Sequence, residues 1–306
     1  MKFITIKIIL MILGVLVMQT NAQGIEHISL ITTPVILLKG DKVISQGTGF
    51  FYVLEDSTKK NIIFLITNYH VLTGNAPKAN KLPKGDNIKF YFHKDPNNPG
   101  EVNEIRIPIF TKENKEVWIV SKDYPEADVA AIPILSSFTK GASVYAITEN
   151  WTKSNMKIRP TSAITLVGYP YGFFDKKNWL PIWKTGTIAT EPLYNFEGKP
   201  LILIDISAFP GMSGSPAFAI ANGAYQTIDG PTTVGQVRMF LGIYASMQMV
   251  TEAKYLEELV QKESKKGIKI SSSLELGHIW KADLIVNMTK NIDVKKYEEE
   301  IVKKLF

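Results

Sequence analysis

Short runs of apolar and β-branched residues, separated by turn residues, cover most of the chain from residue 25 and predict β-strands. The first half of the chain has seven such runs. They lie at residues 28–38, 43–54, 61–68, 87–93, 104–110, 116–120 and 128–135. Short strands at this spacing, bounded by turn signals, are typical of an all-β sandwich or barrel.

The second half repeats the pattern after a polar stretch, Ser136–Pro160, which we interpret as the linker between two β halves. Its apolar runs lie at residues 163–167, 183–190, 201–206, 215–220 and 237–246. The segment Ala221–Gly235 contains an Asn-Gly and an Asp-Gly dipeptide, which favour turns, and we expect a loop there.

The pattern changes from strand to helix near the C-terminus. Residues 251–266 have apolar side chains at helical spacing, and Gly267 follows where a helix commonly ends. Residues 279–286 form an apolar stretch too brief to assign, and Asp293 is a suitable N-cap for a last helix ending near Leu305. We predict a helical extension over residues 251–306, packed on or near the second half. Its charged end, residues 293–306, is alternatively an interaction surface.

The N-terminus has the pattern of a secretory signal peptide. Lys2 and Lys7 precede the apolar run Ile8–Met18, and polar residues follow before the small residue Ala22. This run is short for a membrane span, which needs about 20 residues. We expect residues 1–22 to be removed and the protein to be secreted or periplasmic, without a stable membrane span. An uncleaved membrane anchor is the alternative.

Composition narrows the chemistry that an exported chain can use. The sequence has no cysteine, which excludes disulfides, thiolate metal sites and a cysteine nucleophile. Exported eukaryotic domains usually carry disulfides, so the absence of cysteine indicates a bacterial protein. No histidine pair has metal-ligand spacing, and we expect neither a metal nor another cofactor. The formal charge of +6 is mild and the lysine pairs are dispersed, so we expect no nucleic-acid partner.

A cluster of small residues marks the candidate nucleophile. Residues 210–216 read Pro-Gly-Met-Ser-Gly-Ser-Pro, a sequence that a surface turn explains equally well. The alternative is a serine nucleophile, Ser213. The tight backbone would then bring together the N–H groups of Gly211 and Ser213 as donors to a developing oxyanion.

A serine nucleophile needs a base and an orienting carboxylate. His70 lies just past the apolar run 61–68, and Asp128 leads directly into the run 128–135. Taken alone, each is more commonly a structural residue. Together with Ser213 they follow the chain order of the chymotrypsin arrangement, which differs from the orders in subtilisin and the α/β-hydrolases. The remaining histidines have no context that favours catalysis: His27, His93 and His278.

With these residues the chain resembles the trypsin-like (chymotrypsin-fold) serine proteases. It is most similar in style to the disulfide-free bacterial branch that includes HtrA-type and glutamyl-endopeptidase-type enzymes. The resemblance runs from about residue 24 to 249. It is carried by Gly47-Thr48-Gly49-Phe50, Thr67–Val71, Asp128-Val129-Ala130, Gly168–Gly172, Thr185–Ile188, Pro210–Pro216 and Leu241-Gly242-Ile243. It implies two six-stranded antiparallel β-barrels over residues 23–250, joined near residues 136–160, with C-terminal helices.

The resemblance also implies a role for each matching position. Ser213 would attack the scissile carbonyl, His70 would carry the proton, and Asp128 would orient the imidazole. The backbone N–H groups of Gly211 and Ser213 would form the oxyanion hole. The implied substrate-binding residues are Ser207, Tyr244, Ala245 and Ser246. The implied activity is that of an exported serine endopeptidase, which cleaves protein or peptide substrates through an acyl-enzyme.

Two positions depart from the family pattern. Met212 stands where trypsin-type enzymes have an aspartate that pairs with the newly cut N-terminus, so that activation switch is not available. Ser207 stands where basic-specific members have an acid, which disfavours cleavage after arginine or lysine. Two alternatives stay open: a non-catalytic protein that keeps this fold for peptide binding, and a protease that a partner activates.

Overall fold

Two β-sheets account for most of the computed structural model, which describes residues 24–55, 61–254, 268–290 and 292. The predicted all-β fold with two antiparallel sheets is confirmed. The predicted signal peptide and the predicted last helix, residues 293–305, lie outside the described residues. Within these ranges, no helix is both long enough and apolar enough to cross a membrane.

The first sheet is built from the N-terminal half. Its strands are β1 (Thr32–Lys39), β2 (Lys42–Glu55), β3 (Asn61–Thr67), β4 (Asn87–Asp95), β5 (Asn98–Pro108), β6 (Ala130–Ile134) and β7 (Ile147–Thr148). Six of them pair antiparallel in the order β5-β4-β1-β2-β3-β6, and the short β7 pairs with β2 in parallel. Alternate residues such as Val35 and Leu37 point into a buried apolar core, as the two-residue period of a strand requires.

The second sheet is a closed six-stranded barrel. Its strands are β8 (Ala163–Gly168), β9 (Ile182–Ile188), β10 (Leu201–Asp205), β11 (Pro216–Gln226), β12 (Thr232–Lys254) and β13 (Ile268–Lys281). The order around the barrel is β10-β13-β12-β11-β8-β9. Residues Ile164, Leu166 and Ile204 are fully buried inside it. Closure leaves no unpaired strand edge, which removes a site of aggregation.

Three short helices connect or flank these sheets: α1 (His27–Ile31), α2 (Tyr69–Thr73) and α3 (Ala282–Thr289). Single 3₁₀ turns lie at Ser136–Thr139, Glu149–Thr152, Pro170–Gly172 and Phe196–Gly198. Helix α3 buries Leu284 and Ile285 in the core cluster that the two sheets share. In the same cluster Phe50 of β2 contacts Phe240 of β12, with ring centroids 5.4 Å apart. The two sheets are therefore joined by apolar packing rather than by disulfides.

The structure corrects the prediction for the C-terminal region. The predicted helix over 251–266 is wrong for residues 251–254, which belong to β12, and its remainder lies outside the described residues. Residues 268–281 are also strand, and β13 pairs with both β10 and β12. The boundary predicted at residue 250 is therefore wrong, because the second barrel needs β13 to close.

Smaller corrections concern the sequence runs. Residues 116–120 are held by isolated bridges rather than by a strand, and His27 begins a short helix instead of lying in a strand. The Asn222-Gly223 dipeptide lies inside β11, opposite Gly235, so the turn is made by Asp229-Gly230 alone. The predicted linker includes β7, whose Ile147 is fully buried.

Candidate active site

Strand pairing brings His70 and Asp128 together. Strands β3 and β6 are antiparallel, and Thr67 lies opposite Ala130. Strand β3 ends at Thr67, three residues before His70. Strand β6 begins at Ala130, two residues after Asp128. Helix α2 begins directly after β3, so its first turn carries His70 back over the same end of the sheet.

Two hydrogen bonds join His70 to the Asp128 carboxylate, one from its ring and one from its backbone. His70 Nδ1 lies 2.5 Å from Asp128 Oδ2, and the His70 backbone N–H donates to Asp128 Oδ1 at 2.9 Å. Asn68 Nδ2 donates to the backbone oxygen of Asp128 at 2.6 Å. The Asp128 side chain is 15% exposed, whereas that of His70 is 37% exposed. With Nδ1–H donated to the carboxylate, the other ring nitrogen, Nε2, is an acceptor.

Ser213 lies in the same cavity as His70, on the loop between β10 and β11. Its hydroxyl donates to the backbone oxygen of Ala245 at 3.1 Å. Among the described residues, the Ser213 hydroxyl makes no hydrogen bond to the His70 ring. The serine must therefore turn from Ala245 before it can transfer a proton to an imidazole in this cavity.

The peptide group between Pro210 and Gly211 is anchored by its carbonyl. The Tyr171 backbone N–H donates to the Pro210 oxygen at 2.6 Å. In a trans peptide the C=O and N–H point in opposite directions, so this bond directs the Gly211 N–H away from Tyr171. Within the described part of the chain, the Gly211 N–H has no acceptor.

The peptide group between Met212 and Ser213 is anchored in the same way. The Ser215 N–H donates to the Met212 oxygen at 2.9 Å, and the Ser213 N–H has no acceptor among the described residues. The loop needs glycine on both sides of the serine, because Gly211 has φ +94° and Gly214 has φ +91°. A Cβ at Gly214 would also lie 1.8 Å from the Thr48 oxygen. Two unpaired N–H groups thus flank the serine, as an oxyanion hole requires.

Thr48 of β2 holds this loop in place from the first sheet. Its hydroxyl donates to the Gly211 oxygen at 2.8 Å and accepts from the Tyr169 N–H at 3.0 Å. Its backbone N–H donates to the Ser213 oxygen at 2.8 Å. Thr48 is fully buried, so both groups that its hydroxyl contacts would lose a partner if the hydroxyl were removed.

The cavity that contains Ser213 has a volume of about 600 Å³, and we call it the nucleophile cavity. All four predicted substrate-binding residues line it: Ser207, Tyr244, Ala245 and Ser246. Its other walls include exposed aromatic residues, Tyr171 and Phe209, whose ring centroids lie 5.9 Å apart.

Tyr244 lines the nucleophile cavity with a buried side chain. The side chain is buried among apolar residues that include Met212 and Ala208. Its Cε2 atom lies 2.7 Å from the position that a Cβ on Gly277 would take, so the ring rests directly on the Gly277 backbone. Burial raises the pKa of Tyr244 to about 12, which keeps its hydroxyl neutral at physiological pH.

A second cavity, of about 620 Å³, adjoins the first. The two cavities share His70, Ala245 and Ser246. The charged or titratable residues of the second cavity are His70, Glu126, Asp128, Lys199 and His278. Within the described ranges, no three His, Asp or Glu side chains form a group that could hold a metal ion.

Several residues of this cleft were not singled out by the sequence. Thr48 and Tyr171 belong to motifs that carried the resemblance, but neither had an assigned role. Met247 and Glu275 line the nucleophile cavity, and His278 lines the second one. Glu275 and His278 lie in the region predicted to be a helical extension, which concealed their closeness to β12.

The sequence model of the trypsin-like peptidase domain matches residues 47–225, more than half of the chain. No curated protein matches the chain.

Among solved structures, the Rv3671c protease of M. tuberculosis in an inactive form has 16% identity and a TM-score of 0.39, covering 88% of this chain and 90% of its own. The serine endoprotease from Yersinia pestis has 13% identity and a TM-score of 0.35, covering 68% of this chain and 58% of its own. The thermostable serine protease AL20 from an extremophilic microorganism has 14% identity and a TM-score of 0.38, covering 70% and 91%.

Proposed function

We propose that this chain, which belongs to the trypsin-like peptidase family, is a serine endopeptidase that cleaves peptide bonds through an acyl-enzyme. The observation that carries the proposal is the His70–Asp128 pair in a cleft that also contains Ser213. The two unpaired N–H groups beside Ser213 support it further, because a protein that only binds peptides has no need of them.

The proposed reaction begins when the Ser213 hydroxyl leaves the Ala245 oxygen and turns to His70. His70 Nε2 takes the hydroxyl proton as Oγ attacks the scissile carbonyl, and the oxyanion accepts hydrogen bonds from the Gly211 and Ser213 N–H groups. Asp128 stabilises the imidazolium that forms. When the C–N bond breaks, the leaving amine takes the proton from His70, and an ester to Ser213 remains.

Water completes the proposed cycle by the same route. His70 takes one proton from the water as its oxygen attacks the ester carbonyl, and the oxyanion again accepts from the two N–H groups. When the ester C–O bond breaks, Ser213 recovers its proton from His70 and the product leaves as a carboxylic acid. The chain's own residues thus balance every proton, with no cofactor.

The test is the Ser213→Ala variant, compared with Ser136→Ala, which changes an exposed serine that lines neither cavity. We expect Ser213→Ala to lower peptidase kcat by at least about a thousandfold with folding intact, and Ser136→Ala to have no effect. A fluorophosphonate probe should label the wild-type protein at Ser213. Equal hydrolysis by both variants, at the wild-type rate, would exclude Ser213 as the nucleophile.

A second candidate is a protease that stays at rest until a partner or substrate binds. The bond from Ser213 to the Ala245 oxygen favours it, since it occupies the hydroxyl that must reach His70. Probe labelling separates the candidates. Labelling of the protein alone supports a constitutive enzyme, and labelling only after addition of a substrate-like peptide supports the regulated one. A non-catalytic peptide-binding protein would not be labelled in either case.

We also propose that the protein acts outside the cytoplasm. The proposal rests on Lys2, Lys7 and the apolar run Ile8–Met18 before Ala22. Expression of the full chain in a bacterial host should give a mature protein that begins at Gln23, as read by N-terminal sequencing. Recovery of uncleaved protein in the membrane fraction would support an anchor instead.

A further inference from the structure

The second cavity contains charged side chains that the proposed catalytic steps do not use. Each of its two carboxylates already has a hydrogen-bonded partner. Asp128 is paired with His70, and Glu126 Oε2 lies 3.2 Å from the Nζ of Lys78, which is outside the cavity lining. Neither carboxylate is therefore available as a partner for a cationic ligand.

The lysine of this cavity, in contrast to the two carboxylates, has no such partner among the described residues. Lys199 makes no ion pair with any residue in the described part of the chain. Its charge acts on both neighbours: it lowers the pKa of Glu126, though less than a backbone hydrogen bond and Lys78 do, and it lowers that of His278. The ammonium group thus lies close to the cavity, and within the described ranges no carboxylate is in direct contact with it.

His278 is the second donor facing this space. It lies on β13 opposite Ser246 of β12, and its Nδ1 is 3.2 Å from the Ser246 hydroxyl. Burial is the main cause that lowers the pKa of His278; the Ser246 backbone and Glu197 oppose this effect, and Lys199 adds to it. The imidazole is therefore mostly neutral near pH 7 and gains charge as the pH falls.

The cavity also has an apolar part. Leu201 and Trp280 line it, each less than a tenth exposed. A ligand that suits these walls combines one or two methylene groups with a terminal anion. The acidic side chains of a peptide, aspartate and glutamate, have this chemistry.

We propose that the second cavity is a specificity site for an acidic side chain of the substrate, with Lys199 as its counter-ion and His278 as a hydrogen-bond donor. The inference rests on the proposed peptidase function. Ala245 and Ser246 line both cavities, and an extended peptide advances about 3.3 Å per residue. A peptide bound at Ser213 can therefore extend into the second cavity, and we assign the acidic side chain to a residue near the scissile bond other than the one whose carbonyl is attacked.

The experiment uses a peptide library in which each position near the scissile bond carries either glutamate or its neutral isostere, glutamine. We expect one position at which glutamate raises kcat/KM by about three- to tenfold over glutamine, the range for a partly exposed charge pair. Lys199→Gln should bring this ratio close to one, and Lys199→Arg should preserve it. Lys140→Gln, which removes an exposed lysine that lines neither cavity, is the matched control.

The pH dependence of this glutamate preference tests the role of His278. The glutamate-to-glutamine ratio of kcat/KM should rise as the pH falls from 8 to 5.5, because His278 becomes cationic while a substrate glutamate stays ionised. Titration of the catalytic groups affects both substrates equally and cancels from the ratio. In His278→Gln the ratio should not vary with pH, and circular dichroism checks that the variant is folded.

Measurement of peptide binding tests the acidic site even if the chain proves not to be a peptidase. The same peptides are passed over immobilised Ser213→Ala protein, with and without Lys199→Gln. Preferential retention of glutamate peptides that is lost in Lys199→Gln supports the acidic site, whether or not cleavage occurs. Equal cleavage and equal retention of the two peptide series would overturn it, and so would a preference that neither Lys199→Gln nor His278→Gln changes.

Discussion

His70 and Asp128 are joined through both oxygens of one carboxylate: Oδ2 contacts the imidazole and Oδ1 accepts the backbone N–H of the same histidine. Because the backbone N–H also binds the carboxylate, the position of the carboxylate does not depend on the ring alone. Asp128 is thereby held in a position from which it can select the imidazole tautomer, and in the proposed reaction it would need little reorganisation.

Asp128→Asn should therefore preserve the fold but remove most of the activity. An asparagine that keeps the backbone hydrogen bond presents its amide as a donor toward Nδ1 and favours the wrong tautomer. We expect kcat to fall on the order of 10⁴-fold. Asp123→Asn, on an exposed loop residue, serves as the control in the same peptidase assay. A loss below about tenfold would mean that Asp128 does not orient the base.

Thr48→Val should impair the proposed oxyanion hole, although Thr48 itself is not one of its donors. The substitution is nearly isosteric but leaves the Gly211 oxygen and the Tyr169 N–H without partners in a fully buried site. We expect kcat to fall about 10- to 100-fold with KM almost unchanged, because the interaction matters most when charge develops on the substrate. Thr48→Ser keeps the hydroxyl and should restore kcat. A rise in KM without loss of kcat would contradict this positioning role.

Tyr244→Val should enlarge the nucleophile cavity. The buried Tyr244 side chain lines the cavity that contains Ser213, so we expect its bulk to restrict the substrate side chain and small residues to be preferred before the scissile bond. The variant should favour large apolar residues by at least about tenfold in relative kcat/KM. Tyr244→Phe keeps the ring and should retain the native preference. An unchanged cleavage profile of a peptide library with Tyr244→Val would show that another residue sets this limit.

His93 should make folding stability depend on pH. It is buried in β4, where its Nδ1 lies 2.9 Å from the Pro99 oxygen, and burial lowers its pKa below the ordinary value. The unfolded chain therefore binds a proton more readily than the folded one, and this contribution to stability is lost as the pH falls through the folded-state pKa.

Urea unfolding of wild type and His93→Gln between pH 8 and 4 tests this expectation. The free energy of unfolding of the wild type should fall more steeply with decreasing pH than that of the variant. The slope that remains in the variant has other sources, among them His278, whose pKa is also lowered. Parallel curves would show that His93 does not contribute to the acid sensitivity.

The sequence was a reliable guide wherever a short segment contained its own signal. Alternating apolar runs predicted the strands, and the glycines around Ser213 predicted a tight loop, because both properties depend on neighbouring residues alone. The resemblance then selected His70 and Asp128 from many polar residues. The structure brings these residues into one cleft with Ser207, Tyr244, Ala245 and Ser246.

The C-terminal region shows where local pattern was insufficient. Residues 251–254 belong to a segment with helical spacing but lie in β12. Strand β13 closes the barrel by pairing with β12, which precedes it, and with the more distant β10. Pairing partners far apart in sequence decide such a segment, because a strand gains its hydrogen bonds from another part of the chain and a helix from itself.

The sequence by itself determined an all-β chain, a glycine-flanked serine and three residues in the order of a known triad. Tertiary structure alone decided how they are supported and what surrounds them. Thr48 reaches the loop of Ser213 across 163 positions in sequence to bond Gly211, and His278 meets Ser246 across 32. Contacts of this kind arise from strand register and barrel closure, and no local property of either residue records them.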